Sequence, residues 1–378
     1  MNQEILASLQ ARLAEDPSAN LDDEMPRVQF EAKRKHFPHP TALLLQQRQK
    51  PPQLKPQGFP ASLLKSSAKP VVLRPLSDIA KALIFGNNDE VGEEKKAQVE
   101  GDLDGGVRRM IEQGVVIAKL PGCRGVLRCG DVAIKVAGVE TLGSEYSALE
   151  YLAEHAPDFP APRPHGLIGL GNARPILMSY IPSATLQSVW PNLGHDNKLS
   201  IRRQLGQLFT MLRKIKLQSG GRLGGVGGEG VSDNHAWVGH ADRDTVITTA
   251  VMFRDFQFSI EAPCGTEYAA FLKSLLPGPD PNERAVFTHG DVFPGNIMVD
   301  VDPARPVEYV VTGVIDWEES GFYPAWFEAS KVLYTFRENG MADMQDWWRY
   351  VPDCIAPARY PTEWAVGRLW DKANGVDA

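Results

Sequence analysis

The sequence predicts an α+β protein of two unequal halves behind a loosely patterned leader. Three observations carry this reading. From about residue 107 the chain runs through closely spaced strand-like segments with one helix among them. After Pro182 the apolar residues recur with helical spacing. Late in that helical half a short apolar hairpin interrupts the pattern and carries a group of oxygen-bearing side chains. The organisation expected is an extension and linker over 1–106, a smaller strand-rich unit over 107–182 and a larger, mostly helical unit over 183–378.

In the extension, Ile5, Leu6, Leu9 and Leu13 share one helical face up to Asp16-Pro17. Lys33-Arg34-Lys35-His36 reads as a solvated charged face. Pro38 to Pro75 is rich in proline and poor in aromatics, and is expected to be extended or disordered. Ser77 is a fitting N-cap for a helix from Asp78 to Phe85, stopped by Gly86, and that helix is placed to dock on the body. Asn87 to Gly106 is acidic and contains glycines, as a linker does.

In the smaller unit, Val115–Leu120, Val126–Cys129 and Val132–Val136 are strand candidates. The turn Pro121-Gly122-Cys123-Arg124-Gly125 separates the first two, and Gly130-Asp131 closes the second hairpin. Ser144 caps a helix from Glu145 to about His155. Pro157 to Pro164 breaks the chain, and Pro175 to Ile181 is again strand-like. In the larger unit, Leu205, Leu208, Phe209, Leu212 and Ile215 mark a core-facing helix, and Tyr268 to Leu276 marks another. A strand-like run, Ala285 to Phe287, then enters a tight loop. A hairpin pairs Ile297–Val299 with Glu308–Ile315, and a helix follows around Trp326 to Phe336.

Composition excludes several classes. A hydrophobic content of 43% with 23% charged residues is ordinary for a globular chain. The net charge of −7 lacks the basic footprint that duplex binding requires, so no nucleic acid partner is expected. The four cysteines, Cys123, Cys129, Cys264 and Cys354, form no C-x-x-C pair and suggest neither a zinc site nor a disulfide framework. The N-terminus has no basic-then-apolar leader, and no apolar run approaches the roughly 20 residues that span a bilayer. A cytoplasmic enzyme with no membrane partner is expected.

The chemistry concentrates in Thr288-His289-Gly290-Asp291-Val292-Phe293-Pro294-Gly295-Asn296 and in Val314-Ile315-Asp316-Trp317. One Asp, an Asn five positions later and a second Asp at a strand end form a set suited to phosphoryl transfer. One carboxylate takes a hydroxyl proton, while an amide oxygen and the other carboxylate hold Mg²⁺ on ATP. Asp291 is the expected base, acting mainly by orienting the acceptor hydroxyl, since a free Asp is a weak base. Asn296 and Asp316 are the expected Mg²⁺ ligands, both hard oxygen donors. His289 is expected to pin the loop through backbone hydrogen bonds and not to form a dyad with Asp291.

Lys135 lies in Val132-Ala133-Ile134-Lys135, which matches the V-A-I-K strand motif, and is expected to contact the α- and β-phosphates of ATP. Glu145 shares a helical stripe with Leu149 and Leu152 and is its expected ion-pair partner, with Glu150 the other candidate. Gly122 and Gly125 lie where backbone N–H groups can cradle phosphates. A G-x-G-x-x-G string at Gly225 to Gly230 follows a helix and not a strand, so the stretch from Gly220 is read as a flexible loop near the substrate side. Glu318, Glu319 and Glu328 lie near the site in sequence and suggest a cationic substrate.

These residues resemble the aminoglycoside phosphotransferase and choline kinase-like family. His289-Gly290-Asp291 through Asn296 matches its catalytic loop. Gly313 to Glu318, then Gly321-Phe322-Tyr323-Pro324 and Trp326-Phe327-Glu328, look like the variety common in fungi. The resemblance covers about 107–340 and implies a bilobal protein-kinase-like fold, ATP and Mg²⁺ as cofactors, and a small hydroxylated molecule as acceptor. It also implies that Met178-Ser179-Tyr180-Ile181 is the hinge that receives adenine, through the backbone of Met178 and Tyr180. Only Glu319 to Tyr323 lies between the Asp316 motif and Pro324, which leaves no room for an activation loop and favours a small-molecule kinase over a protein kinase. The remaining alternative is a catalytically silent, kinase-like binding protein that uses its N-terminal extension as a docking arm.

Overall fold

The computed structural model describes residues 59–86, 102–120, 124–138, 144–218, 220–231, 245–259, 265–278, 280, 283–332 and 344–373. The helix expected near Ile5, the basic run Lys33 to His36 and the turn residue Gly122 lie outside them.

The smaller lobe holds α1 (Ala61–Leu64), β1 (Val71–Arg74), α2 (Asp78–Phe85), α3 (Leu103–Gln113), β2 (Val115–Leu120), β3 (Arg124–Cys129), β4 (Val132–Gly138), α4 (Ser144–His155), β5 (Pro164–Gly169) and β6 (Ala173–Ser179). Its six strands form one sheet in the order β1-β5-β6-β4-β3-β2, with every neighbouring pair antiparallel. Strand alternation gives this sheet two different faces. On β4, Val132, Ile134 and Val136 point outward, while Ala133 and Lys135 point toward the larger lobe; all five are buried.

The outer face is roofed by the chain's own N-terminal segment. Leu127, Ile134, Ile168 and Leu177 are fully buried there against Phe59, Leu63, Ala80, Ile84, Val107, Met110 and Ile111. Each such side chain contributes about 1.5–3 kcal/mol by leaving water. Ser77 caps α2 by accepting from Ala80 N–H at 3.2 Å, and Asp102 caps α3 by accepting from Gly105 N–H at 2.9 Å. Arg108 of α3 donates to the carbonyls of Leu64 (2.7 Å) and Ser66 (2.9 Å), tying α1 to α3. The boundary expected at 106/107 therefore falls inside a helix, and 59–86 is part of this lobe. The linker reading of 102–106 failed because Gly105 and Gly106 weaken the helical signal, while Val107, Met110 and Ile111 on one face supply the packing that overrides it.

The larger lobe runs β7 (Ala184–Thr185), α5 (Leu186–Val189), α6 (His195–Leu212), α7 (Ala250–Ser259), α8 (Thr266–Ser274), β8 (Ala285–Thr288), β9 (Ile297–Asp302), β10 (Arg305–Val314), β11 (Gly321–Pro324), α9 (Phe327–Lys331) and α10 (Pro361–Ala373). Ile201, Leu205, Phe209 and Leu212 turn one face of α6 into the core. The hairpin β9–β10 is joined by β7, and β8 pairs with β11. These two small sheets deliver the chain to the loops at 289–296 and 315–320. The short strand β11 has no period-2 contrast, because all four of its residues are buried. The glycines near 224 are fastened to it: Gly224 N–H donates to Phe322 O (2.8 Å) and Phe322 N–H to Gly224 O (2.9 Å).

Candidate active site

Two loops of the larger lobe and two elements of the smaller lobe converge on one cluster of polar side chains. Strand β8 ends at Thr288, and the next residues form a loop whose conformation is set by buried polar contacts. Gly290 has φ of +87°, and a Cβ there would lie 2.5 Å from the carbonyl oxygen of Glu319, so only glycine fits. His289 is fully buried. Its Nε2 donates to Ile315 O at 3.0 Å and its Nδ1 accepts from Asp291 N–H at 3.2 Å. Burial lowers its pKa, so the ring is neutral with a fixed tautomer. Both ring nitrogens are engaged with backbone, and neither is aimed at the Asp291 carboxylate.

Beneath the loop, Glu328 of α9 is 1% exposed and accepts from two consecutive backbone N–H groups, His289 (2.7 Å) and Gly290 (3.0 Å). Burial pushes its pKa up to about 7, although the two hydrogen bonds favour the charged form. Glu328 therefore does not face a substrate, contrary to the expectation of a cationic contact, and Glu319 is buried as well. The carboxylate that looked like a surface charge is the floor of the loop. Its signal in the sequence was its place on the short helix after β11, beside buried Phe327 and Ala329.

Asp291 is held by its neighbour five residues on. Asn296 is 5% exposed, and its amide Nδ2 donates to Asp291 Oδ2 (2.9 Å) and Asp291 O (3.0 Å). The Asn296 amide oxygen is thereby turned away from Asp291. Burial raises the pKa of Asp291, with Asp316 and Glu318 adding to the effect and His289 and Asn296 opposing it. The backbone of Asn296 accepts from Ile315 N–H at 2.9 Å, which clamps this loop to the residue before Asp316. Asp316 itself stands at φ +68°, a left-handed conformation that Asp adopts more readily than most residues.

Lys135 meets this loop from the sheet. It is 7% exposed and pairs with Glu145 Oε2 (2.7 Å), with Asp316 and with Glu318 Oε2 (3.1 Å). Burial disfavours its charge, but the three carboxylates outweigh burial and hold its pKa well above the ordinary value. Glu145, 3% exposed, uses its other oxygen to accept from Trp317 N–H at 3.2 Å, so α4 is locked to the 316–317 turn as well as to the lysine. Burial raises the pKa of Glu145 and Lys135 opposes it. Glu150 makes no contact with Lys135 among the described residues. The Glu318 contact was missed in the sequence; Glu318 lies two residues beyond Asp316 in the turn after β10, and only the fold turns both toward Lys135.

The donor set fits a hard divalent cation. Glu145, Asp316 and Glu318 each offer an oxygen within 4.8 Å of the others, and the amide oxygen of Asn296 lies on the adjoining loop. Lys135 takes Oδ1 of Asp316 and leaves Oδ2.

Other expected contacts divide. Met178 lies inside β6, paired with Ala133 on one side and Pro164 on the other, and its side chain is buried in the core between the lobes. Tyr180 is the first residue past the strand; its N–H donates to Asp131 O at 2.8 Å, and Arg128 lies over its ring at 4.3 Å. Gly125 is within β3, paired with Lys119 and Val136, and its bare face is turned away from Lys135. The Phe59 ring occupies the space that a side chain here would need.

A model described as the phosphotransferase enzyme family (APH) matches residues 134–359, more than half of the chain, from the strand of Lys135 past both loops. The chain belongs to the phosphotransferase enzyme family. No curated protein matches it in sequence. Among solved structures, this phosphotransferase is similar to a thermostable mutant of aminoglycoside phosphotransferase APH(4)-Ia in apo form, at 15% identity over 70% of this chain and 83% of that one, with a TM-score of 0.41. It is also similar to APH(2")-IIa in a ternary complex with streptomycin and ATP, at 10% identity over 72% and 98% of the two chains, with a TM-score of 0.41. Likenesses this distant do not specify a substrate. No helix among the described residues is long and apolar enough to cross a membrane.

Proposed function

We propose that this phosphotransferase is an ATP- and Mg²⁺-dependent kinase that moves the γ-phosphoryl group to a hydroxyl of a small molecule. The observation that carries the reading is the junction of Asp291, Asn296 and Asp316 on two loops clamped together by the Ile315–Asn296 backbone bond, with Lys135 reaching Asp316 from the other lobe. Asp291 orients the acceptor hydroxyl and accepts its proton; Asn296 fixes one of its oxygens and leaves the other for the substrate. Lys135, oriented by Glu145, binds the phosphates as a point charge. Asn296 and Asp316 hold Mg²⁺, which neutralises charge on the phosphoryl oxygens when bound. Adenine is received past the end of β6, at Tyr180-Ile181, where the chain leaves the sheet.

The test is transfer of label from γ-labelled ATP to a panel of hydroxylated metabolites, run beside Asp291→Asn. The asparagine keeps the loop's shape but cannot take a proton, so turnover is lost while Mg-ATP still binds. Full residual turnover would reject Asp291 as the base. Labelling of added proteins in preference to metabolites would reject the small-molecule assignment.

A further inference from the structure

The outer face of the smaller lobe's sheet is closed by a segment that the catalytic machinery does not use. Its first described residue, Phe59, is 8% exposed, and its ring covers Gly125 of β3. A Cβ built on Gly125 would sit 2.7–2.8 Å from two Phe59 ring carbons and 2.6 Å from the carbonyl oxygen of Ala118 on β2. The ring therefore rests on β3 at the position where a side chain is missing. That hairpin is directly attached to the site: Gly125 pairs with Val136, and Val126 pairs with Lys135. From Phe59 the segment continues through α1, is held to α3 by Arg108, adds β1 to the sheet edge beside β5, and ties Ser77 Oγ to His165 Nδ1 at 3.1 Å. It spans the sheet from the hairpin to the opposite edge.

We propose that Phe59 is a positioning residue for the nucleotide site, with the N-terminal segment acting as a strap that fixes the β2–β3 hairpin against the strand of Lys135. This rests on the proposed nucleotide site, but the hairpin clamp can be read without it. The hairpin is flanked by only one other strand, with β2 at the edge of the sheet, so a contact from the roof adds to the packing of Leu127 on α3. A ring wedged where a side chain is missing supplies one from behind, at no cost to the inner face. The strap thus couples residues 59–86 to phosphate binding one strand away.

The experiment compares Phe59→Ala with Leu63→Ala in the full chain. Both remove a buried side chain from the same cluster, and Phe59 is the one whose ring lies against Gly125 of the hairpin. The readouts are Mg-ADP affinity by calorimetric titration, melting temperature, and amide hydrogen exchange over β2 and β3. Both variants are expected to melt earlier. Phe59→Ala alone is expected to weaken Mg-ADP binding about fivefold or more and to speed exchange over the hairpin. Equal effects of the two variants on affinity and exchange would overturn the proposal and leave the strap a stability element only, as would no effect of either. If the unmodified protein binds no nucleotide, the reading of the site fails, and hairpin exchange alone then decides the strap: faster in Phe59→Ala only supports it, equal in both overturns it. Should Phe59→Ala not fold, Phe59→Leu serves, with the same order of effects on a smaller scale.

Discussion

Replacing Glu328 by Gln tests how the catalytic loop is held. Glu328 titrates at about 7 in the folded protein because it is buried, against about 4.3 for an unfolded glutamate. Between those values the folded protein keeps a proton that the unfolded chain has released. Stability therefore falls as pH rises through this window and levels off above about 7. At about 1.4 kcal/mol for each pH unit between the two values, the ionised side chain carries a penalty of about 4 kcal/mol at pH 8, of which a few tenths are already present at pH 4. Gln does not ionise. Its amide oxygen can accept one of the two N–H groups of His289 and Gly290, but its NH₂ faces the other, a loss of about 1–3 kcal/mol that does not vary with pH. The difference between variant and parent should thus shift by roughly 3 kcal/mol in the variant's favour from pH 4 to pH 8. For a chain of this length that is about 4 °C in melting temperature. Glu145 also titrates abnormally, but both proteins carry it, so it cancels in the difference. Melting curves at pH 4.5, 6 and 8 measure the effect. Parallel pH profiles, agreeing within about 1 °C after a constant offset, would refute the raised pKa of Glu328.

Two further outcomes follow from the same contacts. Lys135→Ala leaves Glu145 and Asp316 without their cation; loss of one partner from a buried pair costs about 3–5 kcal/mol, less at pH 6 than at pH 8 because Glu145 can then take a proton, and thermal melts at both pH values read this. Equal losses at the two pH values would mean that Glu145 is not the group left uncompensated. Gly290→Ala drives a methyl into Glu319 O and displaces Asp291, so single-turnover transfer should fall about 100-fold in a protein whose circular dichroism is unchanged. Near-normal transfer would show that the loop tolerates a displacement the geometry disallows.

Much of the site could be read from residue order. The strand before Lys135, the helix bearing Glu145 and the Asp291–Asn296 interval are short-range patterns, and short-range patterns report on themselves: hairpin turns, caps and helical stripes depend on neighbours within a few residues. That is why β2, β3, β4, α4 and the β9–β10 hairpin lie close to their expected positions. Asp102 capping α3 is equally local, yet the first turn of α3 falls in the expected linker because Gly105 and Gly106 weaken the helical signal where the helix packs on Ile84.

The sequence alone determined which chemical groups are present and in what order they arrive: a lysine on a strand, a carboxylate and amide on one loop, a carboxylate after the next strand. Only the tertiary structure decided what each acidic residue faces. Glu328 goes under the loop and Glu318 joins Lys135, because burial and hydrogen-bond partners 38 to 183 residues away choose between identical side chains. Of the roof over the sheet, the sequence showed the capped helix Asp78–Phe85 but not the stretch from Phe59 to Arg74. An extended, proline-containing segment has no pattern of its own, and its place is set by the apolar face it covers.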